Sequence, residues 1–209
     1  MRKKGIKNLI FDFGGVLINL DRQRCIDNFK KLGLGQVEEL IGQFSQQGVF
    51  MQLEKGLVSS AEFRDNIRGL AGRALTDKQI DAAWNSMLGN IPSYKLDALL
   101  KLREKYMVYL LSNTNEIHWK WSCVHAFPHK GFREKDYFEQ IFLSYEMKQV
   151  KPDTEIFETV LKTTGIRPEE TFFIDDSEAN CQTAASLGIA TYTPQAGEDW
   201  TPLFKELLK

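Results

Sequence analysis

The chain has no surplus of charge of either sign: 27 Lys and Arg stand against 28 Asp and Glu in 209 residues. Without a positive excess there is little to neutralise phosphates along a polyanion, so no nucleic-acid partner is expected. Cysteine is scarce. Cys25, Cys123 and Cys181 are odd in number and far apart, which fits neither a disulfide framework nor a zinc site and suits reduced thiols in the cytoplasm. Long hydrophobic runs are missing too. No stretch reaches the roughly 18 apolar residues that a membrane-spanning helix needs, so no membrane partner is expected either. Met1-Arg2-Lys3-Lys4 ahead of Leu9-Ile10-Phe11 imitates a signal peptide, but Asp12 interrupts the apolar part and no small-residue cleavage site follows. A cytoplasmic location is the expectation. What is present, 43% hydrophobic and 26% charged residues, is the composition of one globular domain or of one domain with an insertion.

Four short apolar runs end abruptly at polar residues: Asn8–Phe11 before Asp12, Met107–Leu111 before Ser112, Gln140–Leu143 before Ser144, and Thr171–Ile174 before Asp175. Runs of this length, apolar on both sides of the pleat, predict strands buried in a parallel sheet. Ile189–Tyr192 is a weaker fifth. Between them, Tyr94–Lys105, Thr154–Lys162 and Ser177–Leu187 carry helical spacing, the last opening on an N-cap serine and closing at Gly188. Alternation of strand and helix predicts an open α/β sheet. Residues 20–90 break the alternation. They hold no convincing strand, only amphipathic segments at Arg22–Lys31, Gln36–Gln43, Ser60–Ala71 and Thr76–Met87, punctuated by glycines that include Gly48 and Gly56. That is far too long for an ordinary βα connection. The division expected is an α/β core of 1–19 and 91–209 with an inserted helical cap of 20–90.

In open α/β sheets ligands bind beyond the carboxyl ends of the strands. The residues just past the strands read Asp12-Phe-Gly14-Gly15-Val16, Ser112-Asn113-Thr114-Asn115, Lys151-Pro152-Asp153 and Asp175-Asp176-Ser177. Converged on one point, they offer three carboxylates, a hydroxyl with backbone N–H groups, and an ammonium. At about 4 Å and an effective dielectric near 20, each pair of carboxylates repels by on the order of 4 kcal/mol. A divalent cation removes the conflict, and an all-oxygen set suits Mg²⁺. Ser112 and its neighbouring amides are donors for phosphoryl oxygens, and Lys151 is a point charge for the same group or for a carboxylate nucleophile. Phosphoryl transfer needs mainly positioning and charge neutralisation, which this set supplies.

The ordered series Leu9-Ile-Phe-Asp12-Phe-Gly-Gly-Val16, Leu110-Leu-Ser112-Asn-Thr-Asn115, Lys151-Pro-Asp and Phe172-Phe-Ile-Asp175-Asp176-Ser resembles the four motifs of the haloacid dehalogenase superfamily, over essentially the whole chain. The resemblance implies a Rossmann-like α/β core with a helical cap. Ser112-Asn-Thr-Asn115 with His118, and the Phe172 to Asp176 run, are most similar to the sugar-1-phosphate phosphatase branch, related to the phosphatase half of soluble epoxide hydrolase. Carried over, the resemblance implies a Mg²⁺-dependent phosphoric monoester hydrolase acting on a small phosphorylated metabolite. Asp12 would be the nucleophile, forming an aspartyl-phosphate. Asp12, the Gly14 carbonyl and Asp176 would hold Mg²⁺, with Asp175 ligating directly or through water. Ser112, the Asn113 amide and Lys151 would bind the phosphoryl group.

One position departs from the pattern. Most phosphatases and mutases of the superfamily carry a second aspartate where this chain has Gly14, and it serves as general acid and base, work worth roughly 10²–10⁴-fold. Its absence disfavours β-phosphoglucomutase chemistry, and the Asp175-Asp176 pair disfavours dehalogenation. Glu54 in the cap, or a bound water, is a substitute to consider. The same absence supports an alternative, a phospho-ligand binding or regulatory protein with weak turnover. Glu54-Lys55-Gly56 resembles the cap's specificity loop, with a plain exposed turn as the competing reading for Lys55. For His118 a capping or core role outweighs a catalytic one, Trp119, Trp121 and Phe127 read better as packing than as a cleft, and Lys130–Lys135 reads as a solvated loop.

Overall fold

The computed structural model describes residues 5–42 and 46–205. Gln43, the last residue of the expected 36–43 helix, and the basic Met1–Lys4 segment lie outside the described residues. Five strands form one parallel sheet: β1 (Asn8–Phe11), β2 (Met107–Ser112), β3 (Gln140–Leu143), β4 (Thr171–Ile174) and β5 (Ala190–Tyr192), in the order β3-β2-β1-β4-β5. Their period of two sends Leu9, Phe11, Val108 and Leu110 into one apolar cluster, and Ile10, Tyr109, Leu111 and Phe173 into another on the opposite face. Burial on both faces is why these runs are apolar without alternation.

The order of the strands makes the site. After β1 the chain builds outward to β2 and β3, then crosses over to add β4 and β5 on the other side, so β1 lies at the switch point where a crevice opens. Register brings the strand ends level: Phe11 pairs with Leu110 and with Ile174. The residues that follow, Asp12, Leu111-Ser112 and Asp175, therefore emerge side by side, and the Asp12 N–H still donates to Ile174 O (2.9 Å).

Helices cover the sheet and fill the insertion. α1 (Arg22–Lys31), α2 (Gly48–Glu54), α3 (Ser60–Ala71) and α4 (Asp77–Asn85) come before α5 (Ser93–Leu102) and α6 (Glu116–His125). α7 (Glu134–Tyr137), α8 (Ser144–Met147), α9 (Thr154–Thr164) and α10 (Glu178–Ser186) complete the chain. Capping boxes start α3 (Ser59 with Glu62) and α4 (Thr76 with Gln79), and Gly72 ends α3 at φ +62°. α1 to α4 enclose an apolar cluster of their own, built on Phe29, Phe50, Phe63 and Trp84 in mutual ring contact. The two connections to the sheet run side by side, Leu20 bridging Leu88 antiparallel and Gly89 N–H donating to Asn19 O (2.8 Å). Among the described residues no helix is long and apolar enough to cross a membrane.

Some local expectations need correction. The 36–43 segment forms only a 3₁₀ turn, Val37–Glu39, with no side-chain cap at Gln36, before Ile41 bridges back to Gln46. Gly48 does not merely punctuate: at φ +55° it starts α2. Residues 134–135, read as part of a loop, open α7, and α6 is capped by Asn115. Asn115 also joins the two layers, its Oδ1 accepting from His118 N–H (3.1 Å) and from the Trp84 indole (3.3 Å). Asn115→Ala should lower the unfolding free energy in urea by about 2 kcal/mol, since it removes a cap and strands a buried indole N–H.

Candidate active site

Lys151 is the centre of the strand-end cluster. Its side chain is 1% exposed, and its ammonium donates to Asp12 Oδ1 (2.7 Å), Asp175 Oδ2 (2.6 Å) and the carbonyl of Leu111 (3.0 Å). Burial disfavours this ammonium, but Asp12 and Asp175 more than offset it and raise its pKa, so it stays charged. Asn113 fixes the backbone beneath it: its Nδ2 donates to Lys151 O (2.8 Å) while its Oδ1 accepts from Lys151 N–H (2.9 Å). Ser112 is buried at the end of β2, in the wall of the same cavity.

The three aspartates are not equivalent. Asp175 is fully buried and its oxygens are taken, by Lys151, by the Ser177 N–H (2.8 Å) and by Asn180 Nδ2 (3.0 Å to each oxygen). Ser177 stands at the N-cap of α10 but makes no side-chain cap bond. Asp12 and Asp176 face the cavity. Burial, only partly countered by Lys151 and reinforced by Asp175 and Asp176, pushes the Asp12 carboxyl up to about 8. Burial and the Asp175 charge push Asp176 up to about 6. One lysine is too little positive charge for this cluster.

A divalent cation fits the deficit. Asp12, Asp175 and Asp176 each bring a carboxylate oxygen within 4.8 Å of the others, all donors are oxygen, and Gly14 lines the same cavity. Gly15, unremarked in the sequence beside Gly14, makes the approach possible. It adopts φ +71°, and a Cβ there would lie 2.1 Å from Asp176 Oδ2.

The cap supplies the opposite wall with Leu20, Gln46, Glu54, Met87 and Leu88. Glu54, the last residue of α2, is half-buried overall, yet burial with the nearby Asp12 charge pushes its carboxyl up to about 8. Its carbonyl accepts from Ser144 Oγ (2.7 Å), the same hydroxyl that bonds Thr114 O (2.9 Å) and accepts from Thr114 N–H (3.0 Å). Gly56 pins the turn beyond it: a Cβ there would fall 2.0 Å from Tyr145 O. Gln46, which sequence reasoning missed because a lone glutamine carries no pattern, is 8% exposed, and its Oε1 has no hydrogen-bond partner among the described residues.

Lys55 and His118, the other two residues considered for substrate contact, are not brought to the cavity. Lys55 caps the C-terminus of α2, outside the lining. His118 is buried against α4, its ring stacked on Trp84 at 4.2 Å and its Nε2–H donating to Trp84 O (3.1 Å). Burial holds its pKa down to about 4, so it is a neutral packing group. Trp119 and Phe127 pack with Phe13 in the core.

A family model described as haloacid dehalogenase-like hydrolase matches residues 6–188. A D-ribitol-5-phosphate phosphatase of Bacteroides thetaiotaomicron is 40% identical over 195 residues, 93% of this chain and 95% of the relative. Among solved structures, a haloacid dehalogenase family enzyme of the same organism, in complex with magnesium and inorganic phosphate, superposes with a TM-score of 0.91 at 64% identity, over 96% of this chain and all of that one. A predicted hydrolase of this type from Porphyromonas gingivalis superposes with a TM-score of 0.91 at 38% identity, over 98% of both chains.

Gly15→Ala should push the Asp176 carboxylate aside. The expected result is Mg²⁺ affinity weakened by about tenfold or more in calorimetry, with the far-ultraviolet circular dichroism of the fold retained.

Proposed function

Because the chain belongs to the haloacid dehalogenase-like hydrolase family, we propose that it is a Mg²⁺-dependent phosphatase of a small polyol or sugar phosphate, with Asp12 as nucleophile. The observation that carries this reading is the Asp12 carboxylate at the switch point of the sheet, oriented by Lys151 and facing a cavity it shares with Ser112 and Asp176. Asp12, Asp176 and the Gly14 carbonyl would hold Mg²⁺. When bound, the ion supplies charge neutralisation, letting a phosphate approach a cluster of carboxylates. Asp175, its oxygens already occupied, acts behind this set by holding Lys151.

The rest of the chemistry belongs to the chain's own groups. Asp12 attacks phosphorus and the ester oxygen departs, leaving an aspartyl-phosphate; water then hydrolyses that acyl phosphate and restores the carboxylate. Ser112 and the Asn113 N–H donate to the phosphoryl oxygens, and Lys151 aims Asp12 and favours its ionised form, with the cation supplying the rest of the positive charge. The phosphoryl group lies on the core side, formed by 1–19 and 91–209, and the alcohol lies beneath the cap of 20–90, which excludes water. Gln46, whose Oε1 is unpaired among the described residues, puts a polar side chain on the wall where the alcohol would lie, which favours a polyhydroxylated alcohol over an apolar one. D-ribitol 5-phosphate, named for the 40% identical relative, is the first substrate to try. The second reading, a phospho-ligand binding protein, rests on Gly14 alone.

Release of phosphate from polyol and sugar phosphates and from p-nitrophenyl phosphate should require Mg²⁺, stop on chelation, and fall by at least about 10⁴-fold in Asp12→Asn. Background rates for the native protein on every substrate, with retained binding of the polyol phosphate, would instead favour the binding protein.

A further inference from the structure

An alkoxide is a poor leaving group, and the residue two beyond the nucleophile, Gly14, has no side chain to protonate it. A Cβ at that position would meet Leu20 Cδ1 at 3.1 Å, so the space beside it belongs to an apolar cap side chain. Among the described residues, four titratable ones line the cavity: Asp12, Asp176, Lys151 and Glu54. The first two are the nucleophile and a cation ligand in the phosphatase reading, and the third is bound to two carboxylates. Glu54 remains. It stands on the cap wall, where that reading puts the leaving alcohol, close enough to Asp12 for their charges to interact. The hydrogen bond from Ser144 to its carbonyl and the seating of Gly56 on Tyr145 hold the end of α2 against the core.

We infer that Glu54 is the general acid and base of the reaction, supplied by the cap in place of the missing core residue. This rests on the phosphatase reading. In the first step an Asp12 oxygen bonds to phosphorus, the bond from phosphorus to the ester oxygen breaks, and the Glu54 proton passes to that oxygen, releasing the alcohol. In the second, water attacks phosphorus, its proton passes to the Glu54 carboxylate, and the bond to Asp12 breaks, releasing phosphate. A carboxyl held protonated by burial is suited to the first step, and its conjugate base to the second.

Glu54→Gln keeps the shape and removes the proton. With Mg²⁺ present, kcat/KM for D-ribitol 5-phosphate should fall by about 10²–10⁴-fold, while kcat/KM for p-nitrophenyl phosphate, whose leaving group needs no proton, should fall by less than about tenfold. Because kcat/KM reports the steps up to alcohol release, the second half-reaction needs its own readout. A burst of p-nitrophenolate near one per active site, followed by slow turnover, is expected as the aspartyl-phosphate accumulates. Glu54→Asp, which keeps a carboxyl, should recover part of the loss on the polyol phosphate. Equal losses on both substrates, or no loss on either, would overturn the assignment of Glu54 while leaving the phosphatase standing. Undiminished hydrolysis by Asp12→Asn, or a native protein inactive on both substrates, would overturn the phosphatase reading and Glu54 with it.

Discussion

Everything at the sheet's carboxyl edge depends on one ammonium group placed where water cannot reach it. Lys151 spends its three N–H bonds on Asp12, Asp175 and the end of β2, and so ties together β1, β2 and β4. A charge so buried is tolerable only because each of these bonds is made, and two of them to carboxylates. The same bonds set the charge of the site. Three carboxylates against one ammonium leave a deficit of two positive charges, which a divalent cation makes good. Asp175 shows how the deficit is shared out. Saturated by Lys151, Ser177 and Asn180, it anchors the cluster, and the exposed work falls to Asp12 and Asp176.

The cap has a core of its own but is not independent of the sheet. Ile117 of α6 enters its apolar cluster, Asn115 binds the Trp84 indole, and His118 stacks on the same ring. On the other side of the cavity the link is polar: one hydroxyl, Ser144, bonds Thr114 of the β2 loop and Glu54 of the cap at once. Thr114 follows Ser112 and Asn113, so the loop proposed to hold phosphate and the end of the cap helix share a single fastening. Glycines at 15 and 56 mark the two closest approaches, carboxylate to backbone and cap to core, where any side chain would intrude.

Much of this was legible because a parallel sheet writes itself plainly in sequence. Strands buried on both faces are mostly apolar without alternation, and they end where polar residues begin, so Asn8–Phe11, Gln140–Leu143 and Thr171–Ile174 were readable to the residue. Helices with strong local signals were equally clear: α3 with its capping box and terminal glycine, α1 with Asp21 as its cap. Short helices without a side-chain cap were not. α2 and α8 have no such cap bond and are held by tertiary contact, and the 36–43 stretch has apolar spacing but only a 3₁₀ turn. The convergence of Asp12, Ser112 and the Asp175-Asp176 pair on one edge could be read because each stands at the end of a strand, whereas Lys151 lies beyond α8 and reaches them through its long side chain. Gln46 and Gly15 could not, since their importance lies in an unpaired oxygen and a clearance that exist only once the chain is folded. For His118 the packing reading held: closeness to the 112–115 loop in sequence does not fix direction, and its ring turns toward Trp84.

The glycine at position 14 links these observations. A proton donor carried on the β1 loop would sit in the core whether or not the cap were in place. Moving that duty to Glu54, as proposed, would make proton transfer conditional on the contact between cap and core. Leaving-group protonation would then occur only when α2 is seated on Ser144 and Tyr145, with bulk water already excluded. An aspartyl-phosphate formed without that contact would lack its base as well as its acid, so an ill-fitting alcohol that kept the cap from seating would be turned over slowly even if its phosphate bound well. Selectivity would then reside in the chemical step rather than in affinity alone. That follows from placing a proton on the wall that recognises the alcohol.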